Sequence, residues 1–403
     1  MMEAVKQDDV LIIGAGLSGL ACARALARRG VSGRILEAHT RVAEPWRKRH
    51  PALRLNIHRH FACLPGRKPP TGDGVFLKRD SVISYLEDYA SDIDVPIDFS
   101  TEVLSIKRCV FGWHVETRHT VYQAKNVVFA TGRDRIPHIP DWRGKDTFKG
   151  TLLHARDIGD LAQFDGKRVL VAGAGNSGSD VLNHLARHNP AEVLVSVRYG
   201  PAVVPSYVFG FPLHRLARGF AMMPTALVDR AFRLTQRLFL GDLAKLGLPS
   251  HPDGGGTRLM RDGIAFAIDD GFVDALKKGR FRAVANVRAF NGHDVILADG
   301  KRVRPDVVIA ATGYRTGLQK LLSHLGAVSS DGQPFHPSGE ADCHNPGLWF
   351  TGYRSGYTGY FDAARKSGDK IARAIHDNLS ASHRVSVSQT ARQSGPMARQ
   401  TGI

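Results

Sequence analysis

The sequence predicts an α/β fold built from two similar parallel-sheet domains, the second inserted into the first. A short apolar strand, a glycine-rich turn and a helix occur twice, beginning at Val10 and at Val169. A further apolar strand at 348–350 follows the second unit and leads into another glycine-rich turn and a last helix. Because short continuous apolar runs are typical of strands covered on both faces, we expect two parallel sheets under helices.

The first unit has the pattern of a dinucleotide-binding turn. Its strand runs directly into Gly14-Ala15-Gly16-Leu17-Ser18-Gly19, and an alanine-rich helix follows. Glycines here let the backbone turn tightly and approach a pyrophosphate, whose charge lies against the free amides of the helix start. Glu37 ends the next strand, where a carboxylate accepts hydrogen bonds from a ribose diol. The alternative is a glycine turn that serves packing alone. The candidate cofactor contacts are Gly14, Gly16, Ser18, Gly19 and Glu37.

The second unit repeats the turn as Gly173-Ala174-Gly175-Asn176-Ser177-Gly178, but its next strand ends in Arg198. A guanidinium binds a 2′-phosphate that a carboxylate would repel. The first unit therefore favours an unphosphorylated ribose, as in FAD, and the second favours NADPH. An exposed surface cation is the alternative role for Arg198. The candidate contacts are Gly173, Gly175, Asn176, Ser177, Gly178 and Arg198.

Composition sets limits on the function. The chain has 403 residues, 43% of them hydrophobic, which is enough for two or three packed domains. Its net charge of +17 is spread without a basic block, so we expect no nucleic-acid groove. Four cysteines lie far apart without a Cys-x-x-Cys pair, so we expect no metal site and no disulfide framework. No long uninterrupted apolar segment occurs, and we expect a cytoplasmic protein.

Two nucleotide sites in one chain indicate hydride transfer from a nicotinamide to a flavin. The electrons then pass to dioxygen, to an organic substrate or to a protein partner. A flavoprotein disulfide reductase is disfavoured, because such an enzyme needs a redox-active cysteine pair beside the flavin.

Several further motifs surround the two turns. The most specific is Phe148-Lys149-Gly150-Thr151-Leu152-Leu153-His154, which has the form F-x-G-x-x-x-H. The others are Trp46-Arg47-Lys48-Arg49, Cys63-Leu64-Pro65, residues 173–180 and Ala311-Thr312-Gly313-Tyr314. Over residues 8–378 the chain resembles the flavin-containing monooxygenases (class B flavoprotein monooxygenases), most closely the YUCCA-type indole-3-pyruvate monooxygenases.

The resemblance implies an FAD- and NADPH-dependent monooxygenase that inserts one atom of O2 into a small organic substrate through a C4a-(hydro)peroxyflavin. The chemistry would be N- or S-oxygenation, or attack on a carbonyl such as that of a 2-oxo acid. The alternative is an NADPH-dependent reductase or oxidase that passes electrons to a protein partner or to O2 without oxygen insertion. A cofactor-holding scaffold protein is a rival from another class.

The resemblance also implies roles for single residues. Asn56 is the catalytic candidate, with a loop-capping asparagine as the alternative. His58, His60 and His154 are the histidines that could tune the pKa of the C4a adduct, with a loop role as the alternative for His58 and His60. His154 belongs to the identifying motif and is expected to arrange the domain junction. The further cofactor contacts are Trp46, Arg47, Thr131, Gly132, Thr312, Gly313, Tyr314 and Gly352. The contact at Gly352 has a simple loop leading into the last helix as its alternative.

Three positions depart from the family pattern. Ile158 stands where an aromatic residue is expected, and Ala43-Glu44-Pro45 replaces a common Gly-Gly pair, which is closer to the YUCCA type. Asn56 stands where ordinary flavin-containing monooxygenases carry an active-site asparagine and the YUCCA type tends to carry histidine, so the resemblance leaves the substrate class open.

The predicted domain organisation is a Rossmann-like FAD-binding domain over 1–147 and 306–380, with a Rossmann-like NADPH-binding domain inserted at 148–305. Residues 209–248 are dense in leucine, phenylalanine, methionine and arginine, which predicts short amphipathic helices. These helices would pack as core, roof a substrate pocket, form a homodimer contact or lie on a membrane. Residues 381–403 are expected to form a flexible tail.

Overall fold

The structure, a computed structural model, describes the backbone of residues 5–393 and the side chains of residues 5–381. Within this part of the chain no helix is long and apolar enough to cross a membrane.

The strands, in chain order, are β1 Lys6–Ile13, β2 Arg34–Leu36, β3 Ile97–Asp98, β4 Val103–Cys109, β5 Gly112–Thr117, β6 Val121–Phe129, β7 Ile136–Pro137, β8 Thr151–His154, β9 Arg168–Ala172, β10 Glu192–Val197, β11 Val203–Pro205, β12 Tyr207–Val208, β13 Phe211–Pro212, β14 Ala267–Asp269, β15 Phe281–Ala285, β16 Val287–Asn291, β17 Asp294–Leu297, β18 Arg302–Val303, β19 Val307–Ala310, β20 Tyr314–Arg315 and β21 Leu348–Phe350. The α-helices are α1 Leu17–Ala27, α2 Glu44–Arg47, α3 Arg79–Ser91, α4 Asn176–Leu185, α5 Ala217–Ala221, α6 Thr225–Thr235, α7 Gly255–Asp262, α8 Phe272–Lys277, α9 Gln319–Leu322 and α10 Gly359–Gln393. Short 3-10 turns occur at Arg59–Phe61, Lys145–Thr147, Leu161–Phe164, Leu213–Leu216, Leu243–Leu246 and Ser323–Leu325, and a π turn occurs at Gln236–Leu240.

The first sheet has the order β3-β2-β1-β6-β5-β4, and β21 pairs with the end of β6. Strands β1, β2, β3, β6 and β21 are mutually parallel, whereas β4 and β5 form an antiparallel extension. In register, Phe129 of β6 pairs with Ile13 on one side and with Phe350 on the other. The loops after these three strands therefore leave from the same edge of the sheet.

The second sheet is entirely parallel, with the order β15-β10-β9-β19-β8. All of its strands lie in sequence between β6 and β21 of the first sheet. The second sheet is thus formed by a segment that lies between two strands of the first sheet. The predicted boundary between 305 and 306 is one strand too early, because β19 (Val307–Ala310) pairs with β8 and β9 of the second sheet. Its sequence has the same form as the end of β6, so only the long-range pairing separates the two.

Buried apolar side chains lie on both faces of each sheet. On the first sheet, α1, α3 and α10 cover one face, and Trp113, Tyr122 and Phe350 are buried on the other. Helices α1 and α10 come close enough that a Cβ at Gly368 would lie 3.0 Å from Cys22 Cα. The packing of α10 against α1 fixes the start of α1 against β1.

Helix α10 continues to Gln393, so the predicted flexible tail over 381–403 is helical over its first part. The sequence contains no glycine or proline between Gly368 and Gly395, so nothing in it breaks the helix. Residues 394–403 lie outside the described residues.

We expect Gly178→Ala to lower the thermal midpoint by about 5 °C, because its methyl group would overpack the second turn. A Cβ at Gly178 would lie 2.0 Å from the Gly173 carbonyl oxygen, a backbone atom that cannot move aside. The measurement is thermal unfolding without added nucleotide. Gly175→Ala is the matched control, since a Cβ there has no heavy atom within 4 Å. Equal shifts for both variants would contradict the packing account.

Candidate active site

The first glycine turn forms an open cradle at the edge of the first sheet. Gly14 adopts a φ of +105°, and its amide donates to the Leu36 carbonyl at 2.8 Å. Gly16 precedes helix α1, whose first turn receives no side-chain cap, and a Cβ at Gly16 would have no heavy atom within 4 Å. Glu37 Oε2 accepts from the Ala15 amide at 2.7 Å, so the carboxylate lies beside the turn. Free helix amides facing open space fit a pyrophosphate.

The second turn repeats this geometry. Gly173 has a φ of +104° and donates to the Ser196 carbonyl at 2.8 Å. Helix α4 also lacks a side-chain cap, and Gly175 borders a cavity of about 60 Å³. Arg198 is exposed, with its guanidinium carbon 5.7 Å from the Tyr199 ring centre. Within the part of the chain that the structure describes, no carboxylate pairs with Arg198.

The side chain of Asn56 contacts the start of the second glycine turn's helix. Its Nδ2 donates to Oδ1 of Asn176, the first residue of α4, at 2.8 Å. The bond joins a loop that follows the first turn to the start of the second. The side chain is therefore hydrogen-bonded to the second glycine turn, outside its own loop.

A second contact between the two domains was not predicted from the sequence. His50 is buried, and its Nε2 lies 2.6 Å from Asp180 Oδ2 on helix α4. Asp180 also faces His184, whose ring centre is 5.0 Å from that of His50. Burial would raise the pKa of Asp180, but hydrogen bonds to the two histidines outweigh it and the pKa is lowered. The only indication of this contact in the sequence was the spacing of Asp180 and His184, which lie one helical turn apart.

These three side chains have the ligand atoms of a metal site, within 4.8 Å of one another. However, His50 Nδ1 is buried without a hydrogen-bond partner among the described residues. A histidine that binds metal through one nitrogen normally donates from the other. The arrangement is that of a hydrogen-bonded pair joining the two domains.

The motif histidine His154 contacts the segment that follows β19. Its Nε2 lies 3.0 Å from the Gly313 carbonyl, and its Nδ1 accepts from the Arg156 amide at 3.1 Å. Burial lowers the pKa of His154, and the two contacts suit a neutral ring with the proton on Nε2. The ring packs edge-on against Tyr314 at 4.9 Å. Tyr314 in turn stacks under the Arg49 guanidinium, which donates to its hydroxyl.

The segment around Trp46 is fixed by packing. Trp46 packs against the core of the first domain, and Arg47 donates to the Val42 carbonyl and to Glu87 of α3. Ala43 has a φ of +61°, the left-handed region that favours glycine. Arg47 therefore ties α2 to α3 in the structure.

Three other predicted contacts lie at the edge of the first sheet. The hydroxyl of Thr131 is 2.8 Å from that of Tyr353, and Gly132 follows with a φ of +80°. A Cβ at Gly352 would lie 2.5 Å from Ser18 Oγ, so the turn after β21 touches the start of α1. Thr312, at the edge of the second sheet, donates to the His138 carbonyl. Ile158, in contrast, is fully buried in the core of the second domain.

A larger cavity of about 520 Å³ opens beside the loop that carries Asn56. Arg215 and Arg218 of residues 209–248, called the insert below, line it. Ala217 and Val228 of the insert form one buried cluster with Leu259 of α7 and with Phe61 and Tyr357 of the first domain. The core and roof roles for residues 209–248 stay predictions. The cavity is lined by His58, Arg59, His60, Phe61, Cys63, Lys68, Pro69, Thr71, Arg215, Arg218, Asp362 and Arg365.

The four cysteines are free. Cys22 is buried, which raises its pKa to about 12, and burial also raises the pKa of Cys63. Neither thiol has a second cysteine beside it, so the chain offers no dithiol for disulfide chemistry.

Comparisons with known proteins agree with this architecture. A family model described as pyridine nucleotide-disulphide oxidoreductase matches residues 11–204, which include both glycine turns. Indole-3-pyruvate monooxygenase YUCCA1 of Oryza sativa subsp. japonica is 34% identical over 322 residues, covering 78% of this chain and 79% of that protein. YUCCA6 of Arabidopsis thaliana is 32% identical over 379 residues, covering 91% and 89%.

Solved structures show the same fold. A flavin-containing monooxygenase from Stenotrophomonas maltophilia superposes with a TM-score of 0.70 at 23% identity, covering 93% of this chain and all of that one. Cyclohexanone monooxygenase from Rhodococcus sp. Phi1, bound to NADP+, gives 0.72 at 21% identity, covering 94% and 85%. On the sequence identity to the plant enzymes, this chain belongs to the flavin-containing monooxygenase family, together with the YUCCA-type indole-3-pyruvate monooxygenases.

Proposed function

We propose that this protein inserts one oxygen atom of O2 into a small organic acid that carries a 2-oxo group. Its family makes it a flavin- and NADPH-dependent monooxygenase, and the substrate class is the proposal. The observation that carries it is the cationic cavity beside Asn56, because such a cavity attracts a carboxylate and repels a protonated amine.

The first cradle is the proposed FAD site. Gly14, Gly16 and Gly19 would place the helix amides against the pyrophosphate, with Glu37 toward the ribose and Ser18, Thr131, Gly132 and Gly352 along the same sheet edge. Trp46 and Arg47 would border this site from the loop after β2. When bound, FAD supplies hydride acceptance and the activation of O2.

The second cradle is the proposed NADPH site. Gly173, Gly175, Asn176, Ser177 and Gly178 would hold the pyrophosphate at the start of α4. Arg198 is exposed at the end of β10 and has no carboxylate partner among residues 5–381; there it would receive the 2′-phosphate. Thr312, Gly313 and Tyr314 would border the nicotinamide side through the next strand of the sheet.

Asn56 would hold the reacting groups without donating an acidic proton. An amide donates hydrogen bonds but keeps its proton at neutral pH, which suits a site that must exclude stray acids. The bond from Asn56 Nδ2 to Asn176 fixes this side chain toward the second cradle. The catalytic role assigned to Asn56 is part of the proposal.

The charge of the cavity comes from arginine and lysine. Burial lowers the pKa of His58, and nearby Arg215 lowers it further; His60 is lowered for the same reasons. Both rings are therefore neutral at pH 7 and above. The lining carboxylate, Asp362, is bound by Arg365, Lys366 and Thr358. Arg215 and Arg218 have no carboxylate partner among the described residues, so they remain free for an acid.

The related enzymes named for indole-3-pyruvate act on such an acid. Indole-3-pyruvate joins a carboxylate to a 2-oxo group and an apolar ring. The cavity offers guanidinium groups for the carboxylate and the buried edge of Phe61 for a ring.

We expect the purified protein with FAD, NADPH and 18O2 to place one 18O atom in the product of a 2-oxo acid such as indole-3-pyruvate. Mass spectrometry of the product and NADPH consumption are the two readouts. Hydrogen peroxide in the amount of NADPH consumed, with no labelled organic product for any 2-oxo acid or amine tested, would identify the reductase or oxidase instead. Label in amines or sulfides alone would overturn the substrate class.

We expect Arg215→Gln to raise KM for the 2-oxo acid about tenfold, since it removes one charge-assisted hydrogen bond. The kcat should change little, and steady-state kinetics gives both values. Because His58 and His60 are already neutral at pH 7, the KM of the unsubstituted protein for the 2-oxo acid should be the same at pH 7 and at pH 8.5. Arg230→Gln is the control, as Arg230 is exposed on the same insert and does not line the cavity. A similar rise in KM for both variants would contradict a direct contact.

A further inference from the structure

Helix α7 brings a second guanidinium to the second glycine turn. Arg258 lines the same cavity of about 60 Å³ as Gly175 and Tyr199. Its Nε is buried, and the described residues offer it no hydrogen-bond acceptor. Nothing in the glycine-turn pattern points to this residue, which lies some eighty positions further along the chain.

The position of Arg258 is fixed from the N-terminal end of its helix. Asp229 is buried in the insert, and its carboxylate accepts from the Gly256 amide at 2.6 Å and from the Thr257 hydroxyl at 2.6 Å. Leu259 is buried in the cluster that joins the insert to the first domain. The first turn of α7 thus has little freedom, and Arg258 is held at the cavity wall.

The C-terminal end of α7 is fixed by the first domain. Arg354 donates to the Arg261 carbonyl at 3.1 Å, and Arg133 donates to the Gly263 carbonyl. These arginines follow Gly132 and Gly352, the turns at the edge of the first sheet. Helix α7 therefore has contacts near both candidate cofactor sites. Contacts at its two ends together fix its orientation.

The carboxylates nearest to Arg258 are already engaged. Asp253 and Asp262 accept from Arg261 at 2.8 and 2.7 Å. Burial lowers the pKa of Arg258 and the two aspartates raise it, yet a guanidinium stays protonated at neutral pH. A cation with a buried donor and no acceptor is costly unless an anion reaches it.

We propose that Arg258 binds the pyrophosphate of NADPH from the side opposite the start of helix α4. This inference rests on the proposed function, which puts NADPH at the second turn. The pyrophosphate is the partner because Arg258 shares its cavity with Gly175, the glycine that admits the pyrophosphate in this kind of turn. Arg198, at the end of β10, is left for the 2′-phosphate. The two arginines thus divide the charges of one ligand.

The test compares ligands that separate the two phosphate groups. Dissociation constants for NADP+, NAD+ and adenosine 2′-monophosphate are measured by calorimetry on the FAD-loaded protein, for Arg258→Gln and Arg198→Gln. Arg258→Gln should weaken NADP+ and NAD+ by the same factor, about tenfold, and leave adenosine 2′-monophosphate unchanged. Arg198→Gln should weaken NADP+ and adenosine 2′-monophosphate but spare NAD+.

Arg258→Lys keeps the charge and should recover part of the lost affinity, which a purely structural role would not show. Bound FAD and the thermal midpoint report that each variant is folded. Loss of NADP+ affinity alone in Arg258→Gln would move this residue to the 2′-phosphate and overturn the proposal, and so would unchanged affinity for both dinucleotides. If the unsubstituted protein bound neither dinucleotide, the proposed second site would fall, and the role of Arg258 with it.

Discussion

The structure depends on how closely each first helix can approach its own strand. A Cβ at Gly19 would lie 1.9 Å from the Gly14 carbonyl oxygen, and one at Gly178 would lie 2.0 Å from that of Gly173. Only glycine permits this contact, and the contact directs the helix amides toward the mouth of the turn. The open start of each helix is therefore a consequence of backbone packing, and it is this opening that fits an anion. The amides of Gly14 and Gly173 bond to the Leu36 and Ser196 carbonyls, close to Glu37 and Arg198 in the chain.

Polar contacts join the two parts of the chain that carry the cradles. His50 to Asp180 and Asn56 to Asn176 both join the segment after the first turn to the first two turns of α4. The contacts of Arg49 and His154 with the segment at 313–314 join the domains a second time. These polar side-chain contacts act together with the buried apolar cluster of Phe61, Val228, Leu259 and Tyr357, which joins the same two parts of the chain.

The sequence predicts what is local and misses what depends on distant pairing. Each glycine turn, with its flanking strand and helix, lies within a few consecutive residues, so its pattern sufficed to place it. The boundary at 305/306 was wrong because residues 307–310 have the same apolar form as the end of β6, and only pairing assigns them to the second sheet. His50 and Asp180 are far apart in the chain, and Arg258 lies on α7, in a part of the sequence without a recognised motif. Their roles arise from packing that no local spacing encodes.

The arginines of the candidate ligand sites differ from other surface arginines in whether a carboxylate pairs with them. Arg34 is neutralised by Asp8 and Asp98, and Arg168 by Asp306, so these arginines stabilise the fold. Arg258 lines a cavity, has a buried Nε and has no carboxylate partner among the described residues. Arg215 lines the larger cavity and also lacks a carboxylate partner there, but it is exposed. An unpaired cation on an open surface is hydrated at little cost, whereas one in a cavity wall loses part of its hydration. Such a residue is retained at a cost in stability, and binding an anionic ligand offsets that cost. The excess of positive charge in this chain thus has a specific component, set where a dinucleotide and an acid would bind.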